Sequence, residues 1–312
     1  MSKTKSEISV FGIVLRGLKT YLYNLDTFLK YLAFPVLGMI FGAFLLFSIN
    51  YFYVINLDNL QKMNAIFSNV AVVLTAILIL TLPGFLIFIK AFVDYIVAYG
   101  ALNSMCVNEK RIVDVNSHTE IIKRRFIPYC WLIILLSLIF LLCIVPPLII
   151  FALIFLSLSV QIFVLEENST PFDAIKKSCL IVKNNFWAVF WILIIITVIS
   201  YGFIPYLISW AVAKTPVFGY LTYPVERYIS LLPINDINEI IKELNITYTF
   251  DVILISENIV NSVISTIVIM FMLPFRCACC VEIYKASGSN FYNSSKEIPE
   301  KSKEKSKKGR NK

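Results

Sequence analysis

The residues that could carry out chemistry are few and scattered. His118 is the sole histidine among 312 residues, so a histidine-based zinc site is excluded and a Ser-His or Cys-His pair could form only with this side chain. It lies in the polar stretch Asn116-Ser117-His118-Thr119, where we expect a solvated loop before a short amphipathic helix. No catalytic constellation is present, so the sequence predicts a protein that is not an enzyme and has no cofactor.

Three thiols, Cys277, Cys279 and Cys280, fall within four residues near the end of the last apolar stretch. Thiolates bind soft metals, but one helical turn directs these three side chains around its axis, and no second cluster completes four ligands. We expect small interfacial apolar side chains here, with lipidation or metal binding as the alternatives. The sequence predicts no metal site.

The candidate polar cavity face consists of Glu257, Asn261 and Ser265, which follow one another at four-residue spacing. Ionisable groups inside a membrane are functional candidates. Glu257 lies 19 residues before Arg276, or about 28 Å along a helix, which places it at the outer interface and not at the midplane. Two interpretations stay open: a wetted carboxylate beside asparagine hydrogen bonds between helices, or the wall of an outward-facing cavity.

The elements that must position these residues are apolar helices. Hydrophobic residues make up 58% of the chain and charged residues 15%, whereas soluble domains contain about 45–50% and about 25%. No polar linker divides the chain into two soluble domains of roughly 150 residues. The composition therefore predicts one membrane domain followed by a short polar tail.

Charge-free runs of about 20 residues can cross about 30 Å of hydrocarbon, and five such runs account for six spans. The run from Phe126 to Leu165 is twice the required length, and Pro146-Pro147 at its centre indicates a tight helical hairpin. At the single prolines Pro35, Pro83, Pro205 and Pro274 we expect kinks, or alternatively a broken helix that lines a site. The predicted spans are residues 31–55, 65–89, 126–145, 146–165, 186–212 and 252–275.

Lysine and arginine counts orient these spans. Of 28 basic residues, 24 lie on one side: in the N-terminal stretch, in the loops of residues 90–125 and 166–185, and from Arg276 onward. Basic loops stay in the cytoplasm, which predicts a multi-pass protein of the bacterial inner (plasma) membrane with both termini cytoplasmic and no removable signal peptide. None of the seven cysteines falls in the outside loops after the first and fifth spans, so free thiols are expected.

Amphipathic sequences precede three of the spans, at residues 8–29, 117–126 and 170–185. Apolar residues recur at three- and four-residue spacing opposite polar and basic side chains. Such helices lie on a leaflet surface and attract anionic lipid, so membrane lipids of the inner leaflet are the predicted partners. The candidate lipid contacts are Arg16, Lys19, Lys176 and Lys177.

The third amphipathic helix has the clearest start, because Thr170 is a suitable N-cap, Pro171 takes the first helical position and Asp173 the third. Superposing Lys19 on Lys177 gives sparse matches that suggest a repeated unit. The predicted fold is an all-α polytopic membrane bundle of six transmembrane helices, with a possible threefold repeat of interfacial helix plus helical hairpin.

Two segments lie outside this scheme. Residues 234–245 alternate apolar and acidic positions at helical spacing, which predicts a helix on the outer leaflet or capping the bundle, with docking to a partner as the alternative. Residues 286–312 are rich in Ser, Lys, Glu and Asn, which predicts a disordered basic cytoplasmic tail near anionic headgroups. Positive-inside bias explains this charge, so no nucleic-acid binding is expected.

The stretch LEENSTPFDAIKKS (residues 165–178), continued by VKNNFW (residues 182–187), resembles a segment shared by poorly characterised bacterial six-helix membrane proteins. That group includes the membrane domain attached to some glycerophosphodiester phosphodiesterases. A Tyr99-Gly100-Ala101 turn, the run Arg124-Arg125-Phe126 and the span positions are similar too. The resemblance covers roughly Phe11 to Lys285 and implies the fold, but only a short tail follows the sixth span, so no catalytic role is carried over.

Together these patterns favour a non-enzymatic membrane protein that binds lipid or a membrane-protein partner and acts in membrane homeostasis. The alternative is a small-molecule or lipid transporter or exporter, which the repeated hairpins, the in-membrane prolines and the Glu257 face would suit. An intramembrane enzyme is the third hypothesis.

Overall fold

The computed structural model describes residues 9–63, 70–107, 112, 114–143, 145–244 and 249–287. No β-strand occurs among them, and the predicted all-α helical membrane bundle is confirmed. A sixth candidate span exists if two helices bent by 76°, Val115–Arg124 and Phe126–Leu142, count as one span. The five helices long and apolar enough to cross a membrane are Leu25–Tyr53, Thr75–Met105, Pro146–Leu165, Phe186–Ala213 and Val252–Phe271.

The chain divides into two compact units. Unit 1 consists of Met1–Tyr31, Ile96–Ser200 and Met272–Lys312, and unit 2 consists of Leu32–Tyr95 and Tyr201–Phe271.

The first three helices are α1 (Val10–Tyr23), α2 (Leu25–Met63) and α3 (Val70–Met105). The helix that contains the second predicted span does not end at residue 89, because α3 continues through Lys90 to Met105. The Lys90 ammonium lies 3.3 Å from the Asp94 carboxylate one turn later, an i,i+4 pair that lets a helix carry charge.

Part of the predicted loop of residues 90–125 is therefore helix, and Tyr99-Gly100-Ala101 is not a turn but lies inside α3. A Cβ atom at Gly100 would lie 3.0 Å from both Ile122 Cδ1 and Tyr129 Cζ. Close packing against these side chains, and not a turn, accounts for this glycine.

In unit 2, α2 and α3 pack with their backbones in direct contact. A Cβ atom added at Gly42 would lie 2.7 Å from Phe88 N and 2.9 Å from Gly84 O, and one at Gly38 would lie 2.8 Å from Ala91 Cβ. Gly38 and Gly42 form a GxxxG pair, a motif that allows membrane helices to approach closely. Sequence inspection had not singled out this pair.

The central hairpin consists of α4 (Val115–Arg124), α5 (Phe126–Leu142), α6 (Pro146–Leu156) and α7 (Ser159–Leu165). The prolines at the start of α6 confirm the predicted turn. The predicted span 146–165 is broken after Leu156, although no proline lies there.

A side chain of the next helix, α8 (Pro171–Asn184), explains this break. The Ser178 hydroxyl donates to Phe155 O at 2.6 Å and accepts from Leu158 N at 3.2 Å, so it satisfies backbone groups that the interrupted ladder frees. The predicted start of α8 is confirmed: Thr170 and Asp173 form a reciprocal capping box.

The fifth span comprises α9 (Phe186–Thr197), a π-helical turn (Val198–Phe203) and α10 (Ile204–Ala213). The wide turn directly precedes Pro205, which lacks the backbone N–H that a regular ladder requires. The kink expected at Pro205 is thus a local π-helical turn, whereas Pro35 and Pro83 lie inside continuous helices.

The remaining helices are α11 (Pro216–Ile229), α12 (Ile234–Glu243), α13 (Val252–Phe271) and α14, over residues 273–287. The sixth span was predicted to reach residue 275, but α13 ends at Phe271 and a turn at residue 272 starts α14. Pro274, near the start of α14, suits this boundary. Helices α11 and α14 had not been predicted, and residues 288–312 of the predicted tail lie outside the described residues.

The outside helix α12 has nearly its predicted bounds. The Asn238 side chain donates to Phe250 O at 2.9 Å and accepts from Phe250 N at 2.7 Å, which ties α12 to the segment before α13. Ile237, Ile240 and Leu244 on α12 are exposed. These three side chains of the apolar stripe are therefore not buried in unit 2.

Candidate functional site

Three amphipathic helices of unit 1 each end in a single non-helical residue that leads into an apolar helix. The junction residues are Asn24, Arg125 and Asn185, with φ/ψ of −109°/15°, −112°/28° and −133°/30°. In each case the junction carbonyl accepts from the backbone N–H four residues later, at 3.0–3.1 Å. The same local geometry thus turns α1 into α2, α4 into α5 and α8 into α9.

Burial follows the same pattern at all three junctions. The residue three before each junction is buried, and so is the residue four after it. The six buried side chains are Tyr21, Ile122 and Val182 before the junctions, and Phe28, Tyr129 and Val189 after them.

These junctions give the threefold arrangement a structural basis but correct its alignment. Superposing Lys19 on Lys177 would place Asn24 on Val182, three residues before the junction at Asn185. Aligning the junctions instead places Arg16 on Lys177. The amphipathic helices also end earlier than predicted, at Tyr23, Arg124 and Asn184 in place of residues 29, 126 and 185.

Helix α1 presents three separate faces. One face packs against unit 1, and its buried residues are Ile13, Val14, Gly17, Thr20 and Tyr21. A second face is apolar but exposed, and includes Phe11, Leu15 and Leu22. Arg16 and Lys19 lie on the third, polar face. We call the exposed apolar and basic surfaces of α1, α4 and α8 the interfacial surface.

Two of the four predicted lipid contacts are engaged within the protein. Arg16 Nε donates to Glu282 Oε2 of α14 at 2.8 Å, and Lys285 Nζ donates to Glu282 Oε1 at 2.6 Å. Lys177 forms an ion pair with Glu166. These pairs hold α1 and α8 to their neighbours, so Arg16 and Lys177 are less available to headgroups than the sequence suggested.

The other two predicted contacts are accessible. Lys19 and Lys176 are exposed, and within the described part of the chain neither has an ion-pair partner. Lys123 and Arg124 on α4 and Lys183 on α8 are exposed as well. The interfacial surface therefore carries accessible cations on all three helices.

Glu282 explains how α14 is fixed against α1. Its side chain is 6% exposed, and burial of a carboxylate requires partners such as Arg16 and Lys285. Nearby, a Cβ atom at Gly17 would lie 2.3 Å from Cys279 Sγ, so α1 and α14 approach too closely for any larger residue.

The Tyr284 phenol also donates to Glu166 at 3.0 Å. Burial and the neighbouring Glu166 raise the pKa of Tyr284, so the phenol keeps its proton.

Arg125 has a structural role, because its side chain joins α5 to the end of α7 and the segment that follows. In the sequence it is only one cation in a basic run. Its guanidinium donates to Phe163 O at 2.8 Å, Glu166 O at 3.2 Å and Ser169 O at 2.6 Å. It also lies 4.0 Å from the centroid of the Phe163 ring. The side chain thus caps the C-terminal end of α7, and nothing in the sequence distinguishes it from Arg124.

His118 was expected in a solvated loop, and that prediction is wrong. It lies in α4, which begins at Val115 behind the N-cap Asp114, and its Nδ1 is 2.8 Å from Ser104 Oγ of α3. Burial lowers the pKa of His118 although Asp114 opposes the shift. The neutral ring ties α4 to α3.

The cysteine cluster belongs to the core of unit 1. Cys277 and Cys279 on α14 are buried, as is Cys106. Burial raises the pKa of Cys280 to about 12 although Arg276 opposes the shift. In the part of the chain that the structure describes, no group of three metal-ligating side chains is brought together.

The three residues of the predicted polar face on α13 lie in different environments. Glu257 is exposed and Asn261 is half-buried, whereas the Ser265 hydroxyl lies 2.9 Å from the Ser209 hydroxyl of α10. The buried side chains of α13 are Ser256 and Val260. Among the described residues, Ser265 is thus the member of this set that bonds to another helix, whereas the sequence suggested such bonds for the asparagines.

No protein-family model, curated protein or solved structure matches the chain. The resemblance to six-helix bacterial membrane proteins therefore stays a prediction.

Proposed function

We propose that this multi-pass membrane protein binds anionic lipid headgroups through its interfacial surface, without catalysing a reaction, and acts in membrane homeostasis. The observation that carries the proposal is the three-faced construction of α1. In water, exposed Phe11, Leu15 and Leu22 would be unfavourable. On a leaflet they enter the acyl boundary while Lys19 on the polar face meets headgroups.

Helix α8 supports the same placement. Phe172 is 65% exposed at its start, and Lys176 and Lys183 are exposed along it. Trp187, in the first turn of α9, is 69% exposed, and tryptophan is enriched at membrane interfaces. The apolar and basic groups of α8 therefore lie where a leaflet surface would accommodate both.

Transport is less well supported by the contacts. Of the candidate cavity face, Glu257 is exposed and Ser265 bonds to Ser209, so these side chains do not converge on a ligand. A transporter would give substrate-dependent flux in proteoliposomes that falls in Asn261→Ala. We expect no such fall.

The headgroup proposal is tested with purified protein in nanodiscs of phosphatidylcholine doped with phosphatidylglycerol. Native mass spectrometry should detect preferential retention of phosphatidylglycerol. Because each close basic residue contributes about 1 kcal/mol, replacing both Lys19 and Lys176 by Gln should weaken this preference by roughly thirtyfold.

The matched control replaces Lys214 and Lys242, which the charge distribution places on the other side, by Gln. It removes the same charge and should leave the preference unchanged. Equal retention of the two lipids by the unmodified protein, or an equal loss in both double variants, would contradict the proposal.

The proposed orientation, with the interfacial surface on the cytoplasmic leaflet, can be tested by labelling intact cells with an impermeant thiol reagent. Glu239 and Asn116 are both exposed. A cysteine introduced at Glu239 should react from outside, and one at Asn116 should react only after permeabilisation. The opposite labelling pattern would show that the topology is inverted and would contradict the proposed orientation.

A further inference from the structure

Unit 1 contains an apolar cavity of about 290 Å³ that is open on one side. It is bounded by α5 on one wall and by α6 and the start of α7 on the other, with Tyr99 of α3 beside them. The side chains that the argument uses are Leu136, Ser137, Leu153, Ser157 and Val160.

The two serine hydroxyls in its wall are bonded to carbonyl groups of their own helices. The Ser137 hydroxyl donates to Ile133 O at 2.9 Å, and the Ser157 hydroxyl donates to Ile154 O at 2.8 Å. Neither proton is directed to a ligand, and the other lining side chains on α5, α6 and α7 are hydrocarbon or phenyl groups. An apolar cleft of this character favours apolar ligands over water.

The position of the cavity along its helices specifies what surrounds it. Leu153 and Val160 lie seven and fourteen residues after Pro146, in the candidate span Pro146–Leu165. At 1.5 Å per residue that is about 10 Å and 21 Å along a span of about 30 Å. The opening therefore lies at the depth of acyl chains, which are the most concentrated apolar molecules there.

We propose that this cavity binds one acyl chain of a membrane phospholipid. The break between α6 and α7 is part of the site, because Ser157 lies at it and Ser178 holds it open through Phe155 O and Leu158 N. The proposal rests on the proposed function for the class of ligand, but it involves different side chains from the basic headgroup contacts.

The test is photolabelling of the full chain in mild detergent micelles, to which a phosphatidylcholine with a diazirine in one acyl chain is added as the phospholipid. Adducts are located by mass spectrometry while the probe fraction is increased. Labelling at Leu136 and Leu153 should saturate at low probe fraction, because a site fills. Labelling at Leu141, which is 72% exposed on the same helix as Leu136, should rise in proportion to the probe, as expected for surrounding lipid.

A cavity-filling variant, Leu136→Trp, should lose the saturable labelling, and Leu138→Trp, an exposed neighbour on α5, should retain it. Leu153→Trp repeats the test at a lining side chain that is 52% exposed and therefore tolerates a larger group without distorting the core. Persistence of saturable labelling in both cavity variants, proportional labelling at every position, or saturation only with a diazirine-labelled free fatty acid would overturn the proposal.

Failure of this site and failure of the headgroup site are separable. Lys19→Gln with Lys176→Gln should leave the saturable acyl-chain labelling intact, and Leu136→Trp should leave the preference for phosphatidylglycerol intact. Loss of chain labelling in the lysine variant would show that the two sites are not independent and would overturn the cavity as a separate site.

Discussion

Unit 1 and unit 2 are stabilised in different ways. In unit 1, buried side chains are numerous and specific polar contacts join the helices: Arg125 caps three carbonyls, Glu282 pairs with two cations and Ser178 bridges a helix break. In unit 2, most apolar side chains remain exposed, and α2 and α3 meet at glycine backbones.

The two kinds of packing are favourable in different environments, one in lipid hydrocarbon and the other near water. Apolar side chains exposed to lipid cost little, so helices in hydrocarbon associate through close van der Waals contact at small residues. At a headgroup and water boundary, which we propose for α1, α4 and α8, buried charged and backbone groups need partners, and each unmatched group costs free energy. The stability of unit 2 should therefore depend mainly on the close approach of helix backbones. The stability of unit 1 should depend mainly on hydrogen bonds and ion pairs between its helices.

The largest effect is expected in unit 2. A leucine side chain at Gly42 cannot be accommodated, because its Cβ would lie 2.7 Å from Phe88 N, a backbone atom. Gly42→Leu should destabilise the protein by about 3 kcal/mol, measured as a lower unfolding temperature in detergent by fluorescence-detected size exclusion. The control is Gly219→Leu in α11, where no atom lies within 4 Å of the added Cβ. Equal behaviour of the two variants would contradict close α2–α3 packing.

The next effect is expected at Arg125 in unit 1. Arg125→Leu removes the donor for Phe163 O, Glu166 O and Ser169 O, and water can replace it only in part. We expect a loss of about 2 kcal/mol. Arg124→Leu, next to it, breaks only a 3.5 Å pair with Glu120 in which both side chains are exposed. That control should change stability by about 0.5 kcal/mol or less, so similar losses would remove the distinction between the two arginines.

A smaller effect is expected at the carboxylate that holds α14. Glu282→Gln keeps the shape but leaves Arg16 and Lys285 without a counter-charge. Because both cations are partly exposed, we expect a loss of about 1 kcal/mol, seen in the same unfolding assay at low salt. Asp26→Asn tests an exposed pair with Lys30 and should have no measurable effect. A larger loss in Asp26→Asn would contradict the assigned role of burial.

The smallest effect concerns pH. Burial lowers the pKa of His118 below 6.5 in the folded protein, with Asp114 opposing, so the unfolded chain binds this proton more tightly. Stability should fall as pH decreases from 6.5 towards the folded pKa. His118→Gln, which can still hydrogen-bond Ser104, should show a smaller fall between pH 7 and pH 5. Identical pH profiles would mean that His118 is solvated after all.

The sequence predicted most of the fold because apolar length and proline position are local signals. The hairpin at Pro146-Pro147 and the capping box at Thr170 are where periodicity and cap chemistry placed them. The length of α3 was not predicted because Lys90 ends the charge-free run, although Lys90 pairs with Asp94 and both lie within the helix. Hydropathy does not show that two charged residues pair within a helix, so it does not predict where such a helix ends.

The site was less predictable. Charge and spacing identified Arg16, Lys19, Lys176 and Lys177, but which of them face neighbours depends on Glu282 and Glu166, and those contacts join distant parts of the chain. The apolar cavity adjoins the α6–α7 break, where Ser178 of another helix bonds to the freed backbone groups. Contacts across such sequence separations leave no local pattern.

The most direct test of the account is the depth of α1 in a bilayer. A fluorescent amino acid incorporated at Leu15 or at Lys19 is exposed to quenchers in lipid nanodiscs, with brominated lipid reporting the acyl region and iodide reporting water. The account predicts quenching at Leu15 by brominated lipid and not by iodide, and the reverse at Lys19. Iodide quenching of both positions would place α1 in water and contradict the proposed interfacial surface.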